Sequence, residues 1–364
     1  MLWLVRLGAA AIVAALLVAP SPESRLSSQA TLPASQGGRT VGNDAMMKGA
    51  RKIASVNAHV QPGETVLIVT DNQSMSIARA LAAAVGERKA EPIITVIAQR
   101  SADSAEPPGP VAAAMRTADV VLSAVSVSIT HTSAMKDAIA AGARAIVLTA
   151  FTEQMLISGG IDADFPRIRE QCRAVGSRLA RGRVARLTSR AGTDLTFRLE
   201  GRRINVMAGI VERGELSPVP NAEVNVSPVE ASANGVLVAD ASIPYLGIGL
   251  LKRPIRFTIR GGLIVTIEDG DPEQVGKLKA AWKAQADPMV YNIAEMGIGM
   301  NPQCRFVGLM LEDEGVLGSV HIGTGTSVTL GGTVKARSHY DLIMKAPTLI
   351  LDGEVLIDEG RLKM

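Results

Sequence analysis

The apolar run Thr65–Asp71 (TVLIVTD) most restricts the fold, because it is continuously apolar and ends in an acidic residue. Such a run is typical of a parallel strand buried on both faces. Further strands are predicted at 92–98, 119–125 and 144–150, and helices at 74–85, 133–141 and 166–181. This alternation predicts an α/β domain with a doubly wound, mostly parallel sheet. No G-x-G-x-x-G follows the first strand, so no dinucleotide site is expected.

After Arg186 the pattern changes to short strands separated by glycines. These strands are predicted at 193–199, 235–238, 256–259, 263–267, 316–322 and 348–351. They predict a mostly antiparallel, β-rich (α+β) domain. We therefore divide the chain of 364 residues into a disordered leader (1–45), an α/β domain (46–185) and a β-rich metal-binding domain (186–364). A chain of this length can form two hydrophobic cores.

The first twenty residues carry one basic residue, Arg6, and then the apolar run 9–18. This is typical of a signal peptide, and the run is short for a membrane span. The pair Met46-Met47 supports a second interpretation, in which residues 1–45 are an over-extended reading frame. We expect no stable membrane span in the mature protein and a cytoplasmic location, or export if 1–20 is a signal. Aromatic residues make up only 3%, which argues against a nucleic-acid surface.

Two of the four histidines lie close together near the C-terminus. His339 and Asp341 are two apart in a predicted strand, so both side chains project from one face. His321, from a neighbouring strand, would complete a divalent-metal site. Glu223 and Glu295 lie in apolar or glycine-rich surroundings, where a buried carboxylate needs a partner or a metal.

The other two histidines carry weaker signals. His131 follows an apolar strand, where ligands bind in open α/β sheets, although a capping or hydrogen-bonded core histidine is the preferred interpretation. His59 lies on an early predicted helix and is interpreted as structural or exposed.

Several motifs in order resemble the aminopeptidase T-type metallopeptidases, a family of two-metal exopeptidases. The motifs are PNAEV at 220–224, AEMGIGMNP at 294–302, DE at 313–314 with GSVHI at 318–322, and HYDLI at 339–343. The resemblance implies two divalent ions (Zn, Co or Mn), a small peptide substrate and a homodimer. It places the metal ligands at Glu223, Glu295, His321, His339 and Asp341. Glu223 and Glu295 would be catalytic, and a metal-activated water would release N-terminal, leucine-type residues.

The dihydroxypyridine ring-cleaving dioxygenases are similar to the same scaffold and form the alternative. They hold one Fe(II) with two histidines and one aspartate. His339 and Asp341 serve both families, but the dioxygenases have a histidine where this chain has Glu295, and none that matches His321. Both differences favour the aminopeptidase. One difference opposes it, since aminopeptidase T has a tyrosine shortly after the first histidine and residues 323–328 contain none. A non-catalytic binding protein is a third class.

Overall fold

The computed structural model describes residues 41–363, so the predicted leader lies outside the described residues except for 41–45. Those five residues are helical, because the first helix begins at Val41 and not after Met46. A π-helical segment, Ile53–Asn57, continues it. The helices are α1 (Val41–Lys52), α2 (Met75–Glu87), α3 (Gly109–Thr117), α4 (Ser133–Ala140), α5 (Glu153–Ile157), α6 (Phe165–Leu179), α7 (Pro272–Gln285) and α8 (Met310–Asp313).

Twenty strands form four sheets among the described residues. They are β1 (Thr65–Thr70), β2 (Glu91–Val96), β3 (Val120–Ala124), β4 (Arg144–Val147), β5 (Val184–Thr188), β6 (Asp194–Arg198), β7 (Ile204–Met207), β8 (Leu216–Pro218), β9 (Glu223–Val226), β10 (Asn234–Ala239), β11 (Ser242–Ile243), β12 (Gly249–Leu250), β13 (Ile255–Arg260), β14 (Leu263–Asp269), β15 (Ile293–Gly299), β16 (Val320–Gly325), β17 (His339–Met344), β18 (Thr348–Leu351), β19 (Glu354–Asp358) and β20 (Arg361–Leu362).

The first sheet is parallel throughout, in the order β2-β1-β3-β4-β8. Alternate residues of β1 face opposite sides. Val66 and Ile68 join the large core that contains α1 and α2, whereas Leu67 and Val69 pack with α3 and α4. Both faces are therefore covered by helices, which explains why β1 is continuously apolar.

The remaining sheets are antiparallel. Eight strands pair in the order β14-β13-β10-β6-β5-β18-β19-β20, β11 pairs with β12, and a five-stranded sheet has the order β17-β16-β15-β9-β7. The predicted fold class is confirmed: a parallel α/β sheet is followed by β-rich antiparallel sheets. We call the five-stranded antiparallel sheet the site sheet, because it carries all five predicted ligands. Its other face packs on α6, where Gly176 lets Val206 and Val224 approach.

Some elements differ from the sequence prediction. Helix α7 was not predicted, although Asp271 caps it and Pro272 occupies its first turn. The strand expected at 316–322 begins at Val320. Strand β8 joins the parallel sheet from beyond Arg186, and the domain boundary at 185/186 stays a prediction. Within residues 41–363, no helix combines the length and hydrophobicity that crossing a bilayer requires.

Candidate metal centre

Four adjacent strands of the site sheet bring the five predicted ligand residues together. Glu223 lies on β9, Glu295 on β15, His321 on β16, and His339 and Asp341 on β17. The registers place Gly323 opposite both Glu295 and Asp341. Antiparallel pairing thus gathers residues that are more than a hundred positions apart in the chain.

Glu295 is the residue common to two groups of ligand atoms. One group is Glu223, Glu295 and His321, the other is Glu295, His339 and Asp341, and within each group the ligand atoms lie within 4.8 Å of one another. His339 Nε2 lies 2.9 Å from Glu295 Oε2 and 3.5 Å from Asp341 Oδ1. His321 Nε2 lies 3.5 Å from Glu223 Oε2 and 3.9 Å from Glu295 Oε1.

Two glycines make room for the imidazoles. A Cβ atom on Gly323 would lie 2.6 Å from His339 Nε2 and 2.8 Å from Glu295 Cβ. A Cβ atom on Gly297, which pairs with His321, would overlap the His321 ring. Both rings therefore lie over bare backbone, and any side chain at these positions would displace them.

The cluster concentrates negative charge in a buried place. Burial raises the pKa of Glu223, and the Glu295 charge adds to this effect. Burial also opposes ionisation of Glu295 and Asp341, but the imidazoles outweigh it and lower the pKa of both carboxyls. Conversely, the carboxylates overcome burial and raise the pKa of His321 to about 10 and that of His339 well above its ordinary value. A divalent cation would take over the role of these protons, because a ligating imidazole must be neutral.

The two histidines differ in how they are oriented. His339 Nδ1 lies 2.8 Å from the carbonyl oxygen of Thr326, to which it donates if protonated there. This contact directs Nε2 towards Glu295 and Asp341, as is usual for metal-ligating histidines. His321 Nδ1 and Asp341 Oδ1 are buried and have no hydrogen-bond partner among the described residues. The group around His339 is thus the better prepared of the two for a cation.

Sequence reasoning missed three residues that contact the predicted ligands, and a fourth, Glu314, that reaches them only through Asn221 and Tyr245. Asn225 donates to Glu223 Oε1 at 2.6 Å, and Asn221 lies between Glu223 and Glu314. The hydroxyl of Tyr245 lies 2.9 Å from Glu314 Oε1 and 2.7 Å from Asp341 Oδ2. A hydroxyl carries one hydrogen, so one carboxyl must supply the second bond. Burial and the Asp341 charge raise the pKa of Glu314 well above its usual range, whereas the imidazoles lower that of Asp341, so a protonated Glu314 would donate to Tyr245 and leave the tyrosine hydrogen for Asp341.

The two acidic residues that precede Glu314 in the chain have a different structural role. Glu312 accepts from the backbone N–H groups of Gly160 and Arg305, and Asp313 from those of Val307 and Gly308. Both carboxylates therefore brace loops and do not face the cluster. Only Glu314 of the three touches the network of ligands.

Neither remaining histidine joins the ligand groups. His131 lies in the turn before α4 with an exposed side chain. His131 belongs to neither ligand group. His59 lies at the end of the first helical segment, with a φ of 48°.

The fold thus combines a parallel α/β sheet with an antiparallel sheet that carries a buried cluster of carboxylates and imidazoles. The model of the family described as NicX: 2,5-dihydroxypyridine 5,6-dioxygenase matches residues 51–364. The chain therefore belongs to this family.

Two individual proteins are also similar to this chain. A curated Pseudomonas putida KT2440 protein named 2,5-dihydroxypyridine 5,6-dioxygenase is 25% identical over 195 residues. That match covers 50% of this chain and 55% of the relative, so the chain spans about half the length of the curated protein it matches. The structure of the 2,5-dihydroxypyridine dioxygenase from Pseudomonas putida KT2440 is similar with a TM-score of 0.75 and 20% identity, over 89% of this chain and 98% of that one.

The predicted aminopeptidase, hydrolase and protease functions are wrong. Wild-type AmpT from Thermus thermophilus is indeed similar, with a TM-score of 0.62 and 17% identity over 88% of this chain and 99% of that one, but this shows the fold alone. The family match and the curated relative both indicate the dioxygenase alternative. The differences in ligand type at Glu295 and His321 do not outweigh a family match over residues 51–364.

The cluster fits a divalent cation but departs from a standard iron triad. Its carboxylates and imidazoles suit such an ion, and the unpartnered Asp341 Oδ1 points to one. Non-haem Fe(II) oxygenases typically use two histidines and one carboxylate. Among the described residues, each ligand group instead has one histidine and two carboxylates. In the group around His339, the second carboxylate is Glu295, which stands where a standard iron triad would have its second histidine.

Proposed function

We propose that this chain is a metal-dependent dioxygenase that opens the ring of a dihydroxylated pyridine. The observation that carries the proposal is the group of Glu295, His339 and Asp341, which lies inside the region matched by the dioxygenase family. One divalent cation would be held by these three side chains. Zinc, cobalt or manganese is not specifically supported, and iron is the first ion to test.

The proposed reaction balances without a reductant. The name 5,6-dioxygenase implies that the bond between C5 and C6 of the ring breaks and that both atoms of O₂ enter the product. The carbon that carries the 5-hydroxyl becomes a carboxyl group, and C6 becomes a formyl group on the ring nitrogen. A bound redox-active cation would supply the electron transfer that lets O₂ react with the ring.

The side chains of this protein hold and shield that position. Glu295 and Asp341 are 5% and 3% exposed, so their charges act in a water-poor place and attract a cation strongly. His339, oriented by Thr326, provides the neutral nitrogen ligand. No step beyond binding is assigned to Glu295, because a carboxylate stands where the iron triad would need an imidazole.

A second cation is a separate part of the proposal. Glu223 and His321 share Glu295 with the first group, so the donor set could accept two ions. His321 Nδ1 lacks the acceptor that orients His339. We therefore propose that the group of Glu295, His339 and Asp341 fills first and that the other group binds more weakly.

The test combines metal loading with oxygen uptake. Full-length protein is purified without added metal, loaded anaerobically with Fe(II), Mn(II) or Co(II), and given 2,5-dihydroxypyridine in air-saturated buffer. The proposal predicts O₂ uptake in proportion to substrate lost for at least one metal. Glu295→His should keep this activity, since it restores two histidines and one carboxylate, and Glu295→Ala should lose it. Glu91→Gln, on the exposed edge strand β2, is the control. Absence of uptake with every metal bound contradicts the proposal.

A further inference from the structure

A tyrosine from outside the site sheet reaches into the ligand cluster. Tyr245 lies in the loop between β11 and β12, and its ring packs on Tyr340 with centroids 5.4 Å apart. Its hydroxyl lies 2.7 Å from Asp341 Oδ2 and 2.9 Å from Glu314 Oε1. The hydroxyl therefore joins edge strand β17 to the residue that follows α8.

Asp341 depends on this hydroxyl for its orientation. Within residues 41–363, Tyr245 provides the hydrogen bond to Oδ2, and Oδ1 has no hydrogen-bond partner. Oδ1 lies 3.5 Å from His339 Nε2, on the side of the ligand group. A carboxylate with one oxygen held by a hydroxyl presents the other in a fixed direction.

The loop that carries the tyrosine is anchored independently of the cluster. The side chain of Gln274 in α7 donates to the carbonyl oxygens of Ile248 at 3.2 Å and Leu250 at 2.8 Å. Just before the loop, the N–H of Ala241 donates to the carbonyl oxygen of Ile343 in β17 at 3.0 Å. These hydrogen bonds hold the loop that carries Tyr245 and need no cation.

We propose that Tyr245 is a positioning residue for the candidate metal centre. Its hydroxyl holds Asp341 so that Oδ1 faces the same space as Glu295 Oε2 and His339 Nε2. The inference rests on the proposed metal site and adds a residue to it. Removing the hydroxyl frees Asp341 to rotate, so metal affinity should fall by about 10- to 100-fold, the usual effect of losing an orienting contact.

Cobalt titration of the full-length chain tests this role. Tyr245→Phe keeps the ring and removes the hydroxyl, and it should bind Co²⁺ more weakly and shift the visible Co²⁺ absorption bands. Tyr291→Phe is the matched control, because that ring packs on Trp282 at 5.2 Å, away from the cluster. Wild-type affinity and an unchanged spectrum for Tyr245→Phe overturn the inference, whatever its melting temperature.

A double-mutant cycle provides a readout that loss of folding would not imitate. If Tyr245 acts through Asp341, Tyr245→Phe should weaken Co²⁺ binding no further in an Asp341→Ala background, which offers the hydroxyl no acceptor at that position. Additive losses overturn the inference. A wild-type chain that takes up no Co²⁺, Mn²⁺ or Fe²⁺ overturns the proposed metal site as well, so the two failures are distinguishable.

Discussion

The imidazole of His339 and the carboxylate of Glu295 meet at 2.9 Å between Nε2 and Oε2, on one face of the site sheet. The opposite ring nitrogen lies 2.8 Å from the carbonyl oxygen of Thr326, so the ring has one orientation. This pair joins β15 to β17 across β16 and stands at the centre of the ligand group. Because of this geometry, we expect the loss of the His339 side chain to lower metal affinity most.

Removing a ligand of the better-prepared group should remove the cation. His339→Ala and Asp341→Ala should each lower metal affinity by at least about 10-fold, since even changes behind the ligands reach that size. Metal content after dialysis and calorimetric titration measure this. His59→Asn is the control, because His59 lies outside both ligand groups and asparagine tolerates its φ of 48°. Full metal occupancy in both alanine variants would place the site elsewhere.

The glycine backbone beneath the His339 imidazole should matter for metal binding as much as the imidazole itself. Gly323→Ala should weaken metal binding, because the added Cβ would lie 2.6 Å from His339 Nε2. Gly276→Ala is the matched control: nothing lies within 4 Å of a Cβ there. Because Gly276 lies inside α7, that control should gain about 0.5–1 kcal/mol of stability. Equal metal affinity in the two variants would show that the imidazole tolerates the methyl group.

The ion pair between Arg202 and Glu230, which includes none of the predicted ligands, should make the stability of the protein depend on pH. Partial burial opposes ionisation of Glu230, but hydrogen bonds, including those from Arg202 and Thr333, outweigh it and lower its pKa to about 2. The folded-state pKa lies below that of an unfolded glutamate, about 4.3. The ionised Glu230 carboxylate therefore stabilises the folded state above about pH 4.3, and this stabilisation is lost as the pH falls towards 2.

Urea unfolding at pH 7 and pH 3 measures this contribution. Wild-type protein should lose more stability between the two pH values than Glu230→Gln, by about 1 kcal/mol after solvent screening. Glu91→Gln, a substitution at an exposed strand residue, should follow the wild type. Parallel pH profiles for wild type and Glu230→Gln would contradict the prediction.

The periodicity of the sequence predicted much of the fold. The run at 65–71 became β1, and the strand at 348–351 matches β18 at both ends. Alternation also placed His339 and Asp341 on one face, as the structure has them. The entry of β8 into the parallel sheet could not be predicted, because a three-residue strand carries little periodic signal. The homodimer and the cytoplasmic location stay predictions.

The surroundings of the ligands were beyond the sequence. Glu314 stands in an acidic run with Glu312 and Asp313, and only the fold shows which carboxylate touches the cluster. Tyr245 precedes Asp341 by 96 positions and reaches it from a loop. Contacts of this kind depend on tertiary packing and leave no local pattern. The ligand types, by contrast, were visible in the sequence but pointed to the wrong chemistry.

The most direct test of the central claim is the origin of the oxygen atoms in the product. Fe(II)-loaded full-length protein is mixed with 2,5-dihydroxypyridine under ¹⁸O₂, and the product is analysed by mass spectrometry. If the protein is a ring-cleaving dioxygenase, the ring-opened product carries two labelled oxygen atoms, one at each end of the broken bond. An unlabelled product, or substrate recovered intact from protein with iron bound at Glu295, His339 and Asp341, would contradict the account.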